Sequence, residues 1–419
     1  MLKKIISTFG IKVLIAVLNL VIVIVLSNYI GASGKGEASL VVISMAMVML
    51  FCNLLGGPTL IYLTPRYNIF LLFFLSNCWS IITAIGAFIA LYLYGEMAVG
   101  MIGHICLLSL INSFLATNLT ILLAKERVTL YNLISLLQTA LTLIATFVFF
   151  KGGGKDVYAY INALYVAMLV CLLCSTAYLL PYLKNPDLKN IKENAIHFFK
   201  MGFTNQTSQI IKFLSFRVSY YMLIQYAGAA VLGVFSNGTS LVESLLLISN
   251  SFVAVLYPKI SNSMNKKYSQ LLTQQMTKMS IAFCLVALVP LILLPSEFWV
   301  WLFGAEFTGV RLVIVLLAPG IVFYNISMVI NHYFSGLGRY RISTLAYFIG
   351  LVLVVICSVI IIPKYGIAEA AIISSLSYIA TALFYMIYFS KDAKISIMQL
   401  FPTYSDVPWF FKRIREIFS

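Results

Sequence analysis

Hydrophobic and polar positions follow one another along the chain in long blocks. Apolar stretches run over about 10–30, 38–60, 69–94, 99–123, 128–150 and 157–181, and six more over 201–226, 230–256, 279–295, 310–335, 342–362 and 367–389. Each is about the 20 residues that a helix needs to cross ~30 Å of hydrocarbon. None alternates residue by residue as a barrel strand does, so a β-barrel is excluded and each block predicts one transmembrane helix. Turn chemistry separates them: Gly31-Ala-Ser-Gly-Lys-Gly36, Gly152-Gly-Gly154, Asn185-Pro186, Pro258 and Pro363-Lys-Tyr-Gly366. Twelve such spans use roughly 260 residues. What is left of the 419 residues is too little for a separate soluble domain.

Composition agrees. The chain is 62% hydrophobic and 10% charged, with a mean hydropathy of +1.00, against about 25% charged in soluble chains. The net charge of +15 would suggest nucleic acid in a soluble protein. Here the cations sit in short loops between spans, so the charge sets topology and no nucleic-acid partner is expected. With the N-terminus inside, 21 Lys and Arg residues fall on the cytoplasmic side. Only Lys35, Lys151, Lys155, Arg311 and Lys364 fall outside, and Lys212 and Arg217 lie within a span. That asymmetry predicts both termini in the cytoplasm. The basic start, Lys3-Lys4, lacks a small-residue cleavage site after its apolar run and reads as a retained first helix. All seven cysteines lie in apolar blocks, and Cys171-x-x-Cys174, flanked by Val, Leu and Ala, reads as packing rather than as a redox or metal pair.

The two halves echo one another. Ile11-Lys-Val-Leu14 matches Ile211-Lys-Phe-Leu214, and Tyr29-Ile-Gly31 with Gly36 matches Tyr226-Ala-Gly228 with Gly233. Six spans per half is an even number, so both halves enter the membrane in the same sense. The expected architecture is all-α, with two six-helix lobes related by a parallel pseudo-two-fold axis around a central cationic cavity. The boundaries are an N-terminal lobe over 1–183, a cytoplasmic linker over 184–199, a C-terminal lobe over 200–390 and a tail over 391–419. Within that tail, Trp409–Phe418 sets apolar Phe410, Ile414, Ile417 and Phe418 against a basic side, as an interfacial helix does.

Span 7 is the unusual one. At 100° per residue, Asn205, Ser208, Gln209, Lys212, Ser215 and Ser219 share an arc of about 120°, with Gln206 and Arg217 on its flank. A Lys or Arg at a helix centre costs about 2.5–3.5 kcal/mol on the lenient insertion scale, so this face must meet water, a substrate or a partner acid. Lys12 and Asn19 share a face of span 1, where Lys12 either lines the cavity or snorkels to the cytoplasmic interface. Glu243 is the only acid deep in an apolar block. It is either a counter-ion for Lys212 or Arg217, or a proton or sodium coupling site. Asn325 and His332 share a face of span 10, where His332 reads as a hydrogen-bonded packing residue before a proton relay. No catalytic constellation appears: no HExxH, no Ser/His/Asp set, no paired carboxylates on one loop, and no metal or cofactor is expected.

Several motifs together resemble a known family. Trp301-Leu-Phe-Gly-Ala-Glu-Phe307, then span 10, then Phe334-Ser-Gly-Leu-Gly-Arg-Tyr-Arg341 form the most specific part. Tyr365-Gly-Ile-Ala-Glu-Ala-Ala-Ile372, Gly56-Gly-Pro-Thr59 and Ala124-Lys-Glu-Arg127 fit as well. The chain resembles the polysaccharide-repeat-unit flippases (Wzx type) of the multidrug/oligosaccharidyl-lipid/polysaccharide exporter superfamily. Where span 7 of many relatives has an acidic residue, this chain has Arg217. The resemblance implies translocation of an undecaprenyl-diphosphate-linked oligosaccharide across the bacterial inner membrane, with membrane lipids, the repeat-unit polymerase and the chain-length regulator as partners. Lys212 and Arg217 would then meet the diphosphate, while Asn205, Gln206 and Gln209 suit sugar hydroxyls. The alternatives are a lipid-II-type flippase, a drug/cation antiporter of the same superfamily, and an integral-membrane glycan-assembly enzyme.

Overall fold

The computed structural model describes residues 2–94, 99–184, 191–247, 249–250, 253, 256, 260, 265–403 and 406, with 2–9, 58, 94, 191, 204, 205, 340 and 365 described by backbone alone. Among these residues every regular element is helical. In chain order they are α1 (Leu2–Cys52), α2 (Gly57–Leu63), α3 (Ile69–Tyr94), α4 (Val99–Ala124), α5 (Val128–Lys151), α6 (Val157–Leu179) and α7 (Ile191–Tyr226). There follow α8 (Gly228–Ser244), α9 (Lys266–Leu293), α10 (Ser296–Phe303), α11 (Val310–Gly336), α12 (Tyr340–Tyr365) and α13 (Ile367–Ala393).

Among the described residues, nine helical stretches are long and apolar enough to span a membrane, against the twelve expected. The difference has physical causes. The first stretch, Gly10–Leu63, has 54 residues, which at 1.5 Å per residue is about 80 Å, the length of two crossings. Within α1 the chain leaves helical geometry only at Gly31 (φ 65°, ψ −172°). The run Gly31–Gly36 is therefore not the loop that its composition suggests: Ala32–Gly36 are helical. Lys35, expected outside in that loop, is 5% exposed and donates from Nζ to Ser39 Oγ at 2.7 Å. Of two further expected spans, α7 is too polar, and α8 has 17 described residues before a segment that is described only in part. The long polar gaps also shrink, because 191–199 belong to α7 and 266–278 to α9. Asn185-Pro186, Pro258 and the amphipathic 409–418 lie outside the described residues.

The chain forms two compact units, Met1–Phe213 with Gly228–Gly233, and Leu214–Ala227 with Val234–Ser419. The division falls within α7 and near the start of α8. In the first unit α4 is the most buried span, packed by α1, α3 and α6. Small polar groups hold it where lipid offers no hydrophobic drive between helices. Ser80 and Ser113 share a hydrogen bond at 2.8 Å, and Asn118 Nδ2 donates to Ser175 Oγ at 3.0 Å and Thr176 Oγ1 at 2.9 Å. In the second unit α11 is the most buried span, packed chiefly by α13 and α9. Its core gathers Ile326, Val329, Ile330, Tyr333 and Phe334 with Tyr385 and Phe389.

The sequence-matched glycines behave alike. Gly228, like Gly31, has positive φ (86° and 65°), where a side chain would be strained. A Cβ on Gly36 would sit 1.8 Å from the Ala229 carbonyl oxygen, and one on Gly233 would sit 2.0 Å from that of Ala32. Each glycine thus accepts the backbone of the residue that follows the other repeat's positive-φ glycine. Gly233→Ala is expected to force these backbones apart and cost about 1–3 kcal/mol, as overpacking does. An unchanged thermal unfolding temperature in that variant would refute the close approach.

A carboxylate ties the segment after α13 back to α9. Lys278 Nζ lies 2.8 Å from Asp406 Oδ2, which also accepts from the Thr403 backbone N–H and hydroxyl, each at 2.7 Å. Leu400 and Phe401 belong to the core beneath, and Gln274 donates to the Gln399 carbonyl at 2.9 Å. Burial raises the Asp406 pKa, but the bonds from Lys278 and Thr403 outweigh it and leave it below the usual carboxylate range. A depressed folded pKa gives stability that is full above the unfolded value of about 4 and lost as pH falls through the folded one. The difference in thermal stability between the native protein and Asp406→Asn should therefore be larger at pH 6 than at pH 3. A difference independent of pH would show that the pair contributes nothing through its charge.

Candidate functional site

The site is built on α7, 36 residues without an internal proline. Near its start, Gly202 lets the helix approach the end of α1, since a Cβ there would sit 2.1 Å from the Leu54 carbonyl oxygen. One turn further on, Gln206 Nε2 donates to the Leu50 carbonyl at 2.8 Å. Gln206 therefore spends a donor on a helix contact. Gln209 is exposed and Lys212 half-buried. Asn205 contributes only its backbone, its side chain lying outside the described residues. On α1, Lys12 and Asn19 are both exposed.

Beyond Phe213 the same helix belongs to the second unit. Two members of the expected polar arc face protein there and not an open path: Ser215 pairs with Ser377 at 3.2 Å, and Ser219 with Ser374 at 3.1 Å, all four buried. The reason is that a hydroxyl satisfies its proton on a neighbouring helix at little cost, so small polar residues serve as interhelical glue. The polar arc is thus divided between packing and exposure.

Arg217, on the flank of that arc, meets Glu243 of α8. Nη1 lies 2.8 Å from Oε1 and Nη2 2.8 Å from Oε2, a bidentate, charge-assisted pair. The side chains are 22% and 19% exposed. The guanidinium carbon stands 5.0 Å from the centre of the Tyr220 ring, a cation–π contact, and Nη1 lies 3.4 Å from its hydroxyl. Tyr220 is buried edge-on against Phe235 at 5.2 Å. Close by, Phe216 stacks on Tyr378 at 4.5 Å and meets Tyr324 edge-on at 4.7 Å. The Tyr324 and Tyr378 rings also meet, at 5.4 Å between centres. Of the two readings open for Glu243, the geometry provides the counter-ion arrangement, with Arg217 as its partner. Any anion that takes the guanidinium has to displace a carboxylate already bound by both terminal nitrogens.

Sequence reasoning missed the aromatic wall. Tyrosines scattered in apolar spans carry no period that separates a wall from ordinary packing, and only the fold brings 216, 220, 324 and 378 together. It also missed the buried Lys35, because glycines that serve close helix contact look the same in sequence as glycines that serve a turn. Asn325 is fully buried, bonding Ser249 Oγ, Cys284 Sγ at 3.2 Å and the Ile321 carbonyl at 2.8 Å. His332 Nδ1 lies 2.7 Å from the Met328 carbonyl. Both sit as packing residues. Among the described residues no three His, Cys, Asp or Glu side chains come together as metal ligands do.

Residues 1–264 match the sequence profile of a family described as polysaccharide biosynthesis protein. A probable low-salt glycan biosynthesis flippase of Haloferax volcanii, Agl15, is 22% identical over 261 residues, 61% of this chain and 53% of that protein. The chain thus spans about half the length of that curated relative, and 39% of a second one. Among solved structures, a lipid II flippase, MurJ, in its inward closed conformation superposes with a TM-score of 0.74 at 14% identity, covering 93% of this chain and 90% of that one. An inward-facing multidrug resistance MATE family transporter of the MOP superfamily gives 0.69 at 16% identity, covering 91% and 96%. The fold is therefore that of MOP-superfamily transporters, which accords with the resemblance read from the motifs.

Proposed function

The chain belongs to the polysaccharide biosynthesis protein family, and from that premise we propose that it is a flippase for an undecaprenyl-diphosphate-linked oligosaccharide repeat unit. It would carry this lipid across the bacterial inner membrane by alternating access between two six-helix lobes. The flippase relative and the transporter fold support membrane transport over an enzyme of glycan assembly. The observation that carries the substrate class is α7 itself, a long helix of a membrane-spanning fold with Lys212 half-buried and Arg217 held in a bidentate pair.

The chemistry follows from competition for Arg217. A lipid diphosphate brings at least two negative charges, and its oxygens match the guanidinium fork as well as a carboxylate does. It can therefore exchange for Glu243 without leaving Arg217 unneutralised. The exposed Gln209 supplies donors and an acceptor for sugar hydroxyls; from α1, Asn19 would do the same and Lys12 would add donors alone. The prenyl tail needs no cavity because it can stay in lipid. A drug/cation antiporter is less well served, since Glu243, the carboxylate that a cationic drug would need, is already held by Arg217.

Deletion of the gene tests the reading. The expected result is loss of surface glycan with lipid-linked repeat units accumulating in the inner leaflet. Normal glycan display after deletion would overturn it. Accumulation of a lipid-linked peptidoglycan precursor in place of repeat units would favour the lipid-II-type alternative.

A further inference from the structure

We propose that the second unit binds the headgroup of an anionic phospholipid at the end where α9 begins and α11 and α13 finish. Three chain segments converge there on one carboxylate. Asp392, near the end of α13, holds Lys266 Nζ at 2.8 Å and Arg339 Nη1 at 3.0 Å on the same oxygen, Oδ1. Its Oδ2 accepts from the Tyr333 hydroxyl at 2.6 Å and from Gln270 Nε2 at 3.2 Å. The carboxylate is thereby fixed in place, and it neutralises only one of the two cations. Lys266 and Arg339 are themselves 51% and 48% exposed at their side chains. An ammonium carries three N–H donors and a guanidinium five, so both keep donors for a ligand after bonding Asp392. Because the two cations meet at a single oxygen atom, one phosphate can contact both.

Charge and surroundings define the ligand. Two cations and one carboxylate leave a single positive charge, which the one negative charge of a phosphodiester balances. Lys267, Arg341, Lys391 and Lys394 are exposed and lie within two positions of these three residues. They would repel the ammonium of a zwitterionic headgroup, so the lipid is one with a net negative charge. The N-termini of α9, at Lys266, and of α12, at Tyr340, add positive potential beside the cations. Topology accounts for cations in loops, but not for two of them, from different loops, sharing one carboxylate. A soluble phosphate needs no apolar neighbour, yet Tyr268 and Leu271 of α9 are exposed. Met398 is 76% exposed, in the short helical turn Ile397–Leu400 that packs on α9. All three lie outside the apolar blocks 279–295 and 367–389, so they suit the level of the headgroups and uppermost acyl carbons. The site uses none of the α7 residues and does not rest on the transport reading.

The test uses the whole protein in a neutral detergent and phosphatidylglycerol with a diazirine close to its headgroup, beside phosphatidylcholine with the same diazirine. Phosphatidylglycerol is expected to label peptides containing Tyr268 or Met398 more strongly, by about fivefold for each cation engaged. Lys266→Gln and Arg339→Gln should each lower that signal about fivefold, and the two together should bring it to the phosphatidylcholine level. Either single variant leaves Asp392 one cation and the Tyr333 hydroxyl, so the fold around it is kept. Excess inorganic phosphate should not displace the lipid; displacement would assign the site to a soluble phosphate and overturn the proposal. Equal labelling by the two lipids in the native protein, or undiminished phosphatidylglycerol labelling in both single variants, would overturn it as well.

Discussion

Arg217→Ala is expected to abolish glycan display and to lower stability together. Removing one partner of a buried, bidentate pair leaves the other charged and unpaired, at about 3–5 kcal/mol, and here Glu243, 19% exposed in the native pair, would lose its counter-ion. A loss of display from this variant alone would therefore be ambiguous. The double variant Arg217→Gln with Glu243→Gln separates the causes. It removes both charges, so stability should return toward the native value, while display should stay absent because no guanidinium remains for the diphosphate. Arg217→Lys keeps the charge but loses the planar fork, and partial display is expected from it. Insertion should not suffer in the neutralised variants, since removing a charge within a span eases its transfer to lipid. Normal display in the double variant at matched protein level would mean that the pair is purely structural and that the substrate passes elsewhere.

Glu243→Gln has the second largest expected effect, and its direction differs. Glutamine can still accept one bond from the guanidinium but no longer neutralises it, so thermal stability should fall by less than in Arg217→Ala. The anionic lipid would also face no competitor for Arg217. Binding of the lipid diphosphate should tighten and its release slow, giving reduced display with increased retention of lipid-linked substrate on the purified protein. The other reading of Glu243 gives a different pattern. A coupling carboxylate changed to glutamine would leave stability intact and remove the dependence of transport on an ion gradient. Unfolding temperature, substrate retention and gradient dependence measured on this one variant decide between them.

The ion pair and the glycines mark how far the sequence could be read and where it stopped. The charges at 212, 217 and 243 were conspicuous from sequence alone, because a cation or acid in an apolar block is costly wherever it points. Their pairing was not. At 100° per residue Arg217 and Lys212 stand about 140° apart, so either could have taken Glu243, and only the packing of α8 against α7 selects Arg217. The serines misled for the opposite reason. A hydroxyl costs little on either face of a span, so Ser215 and Ser219 followed the polar arc in sequence yet turn to Ser377 and Ser374.

By itself the sequence determined that this chain is a helical membrane protein, where its apolar blocks lie, which residues are charged within them, and that Gly31 and Gly36 have counterparts at Gly228 and Gly233. These are local properties: hydropathy over 20 residues, and a backbone requirement that only glycine meets. The tertiary structure alone decided that Ala32–Gly36 continue a helix, that Lys35 is buried, that 191–199 are part of α7, and which aromatic rings surround Arg217. Each depends on a surface supplied by residues remote in the chain. A glycine run becomes helix when another backbone, here that of Ala229, comes close enough to need the missing Cβ. A polar residue becomes glue or site according to the helix that faces it, and composition along one span carries no record of that neighbour.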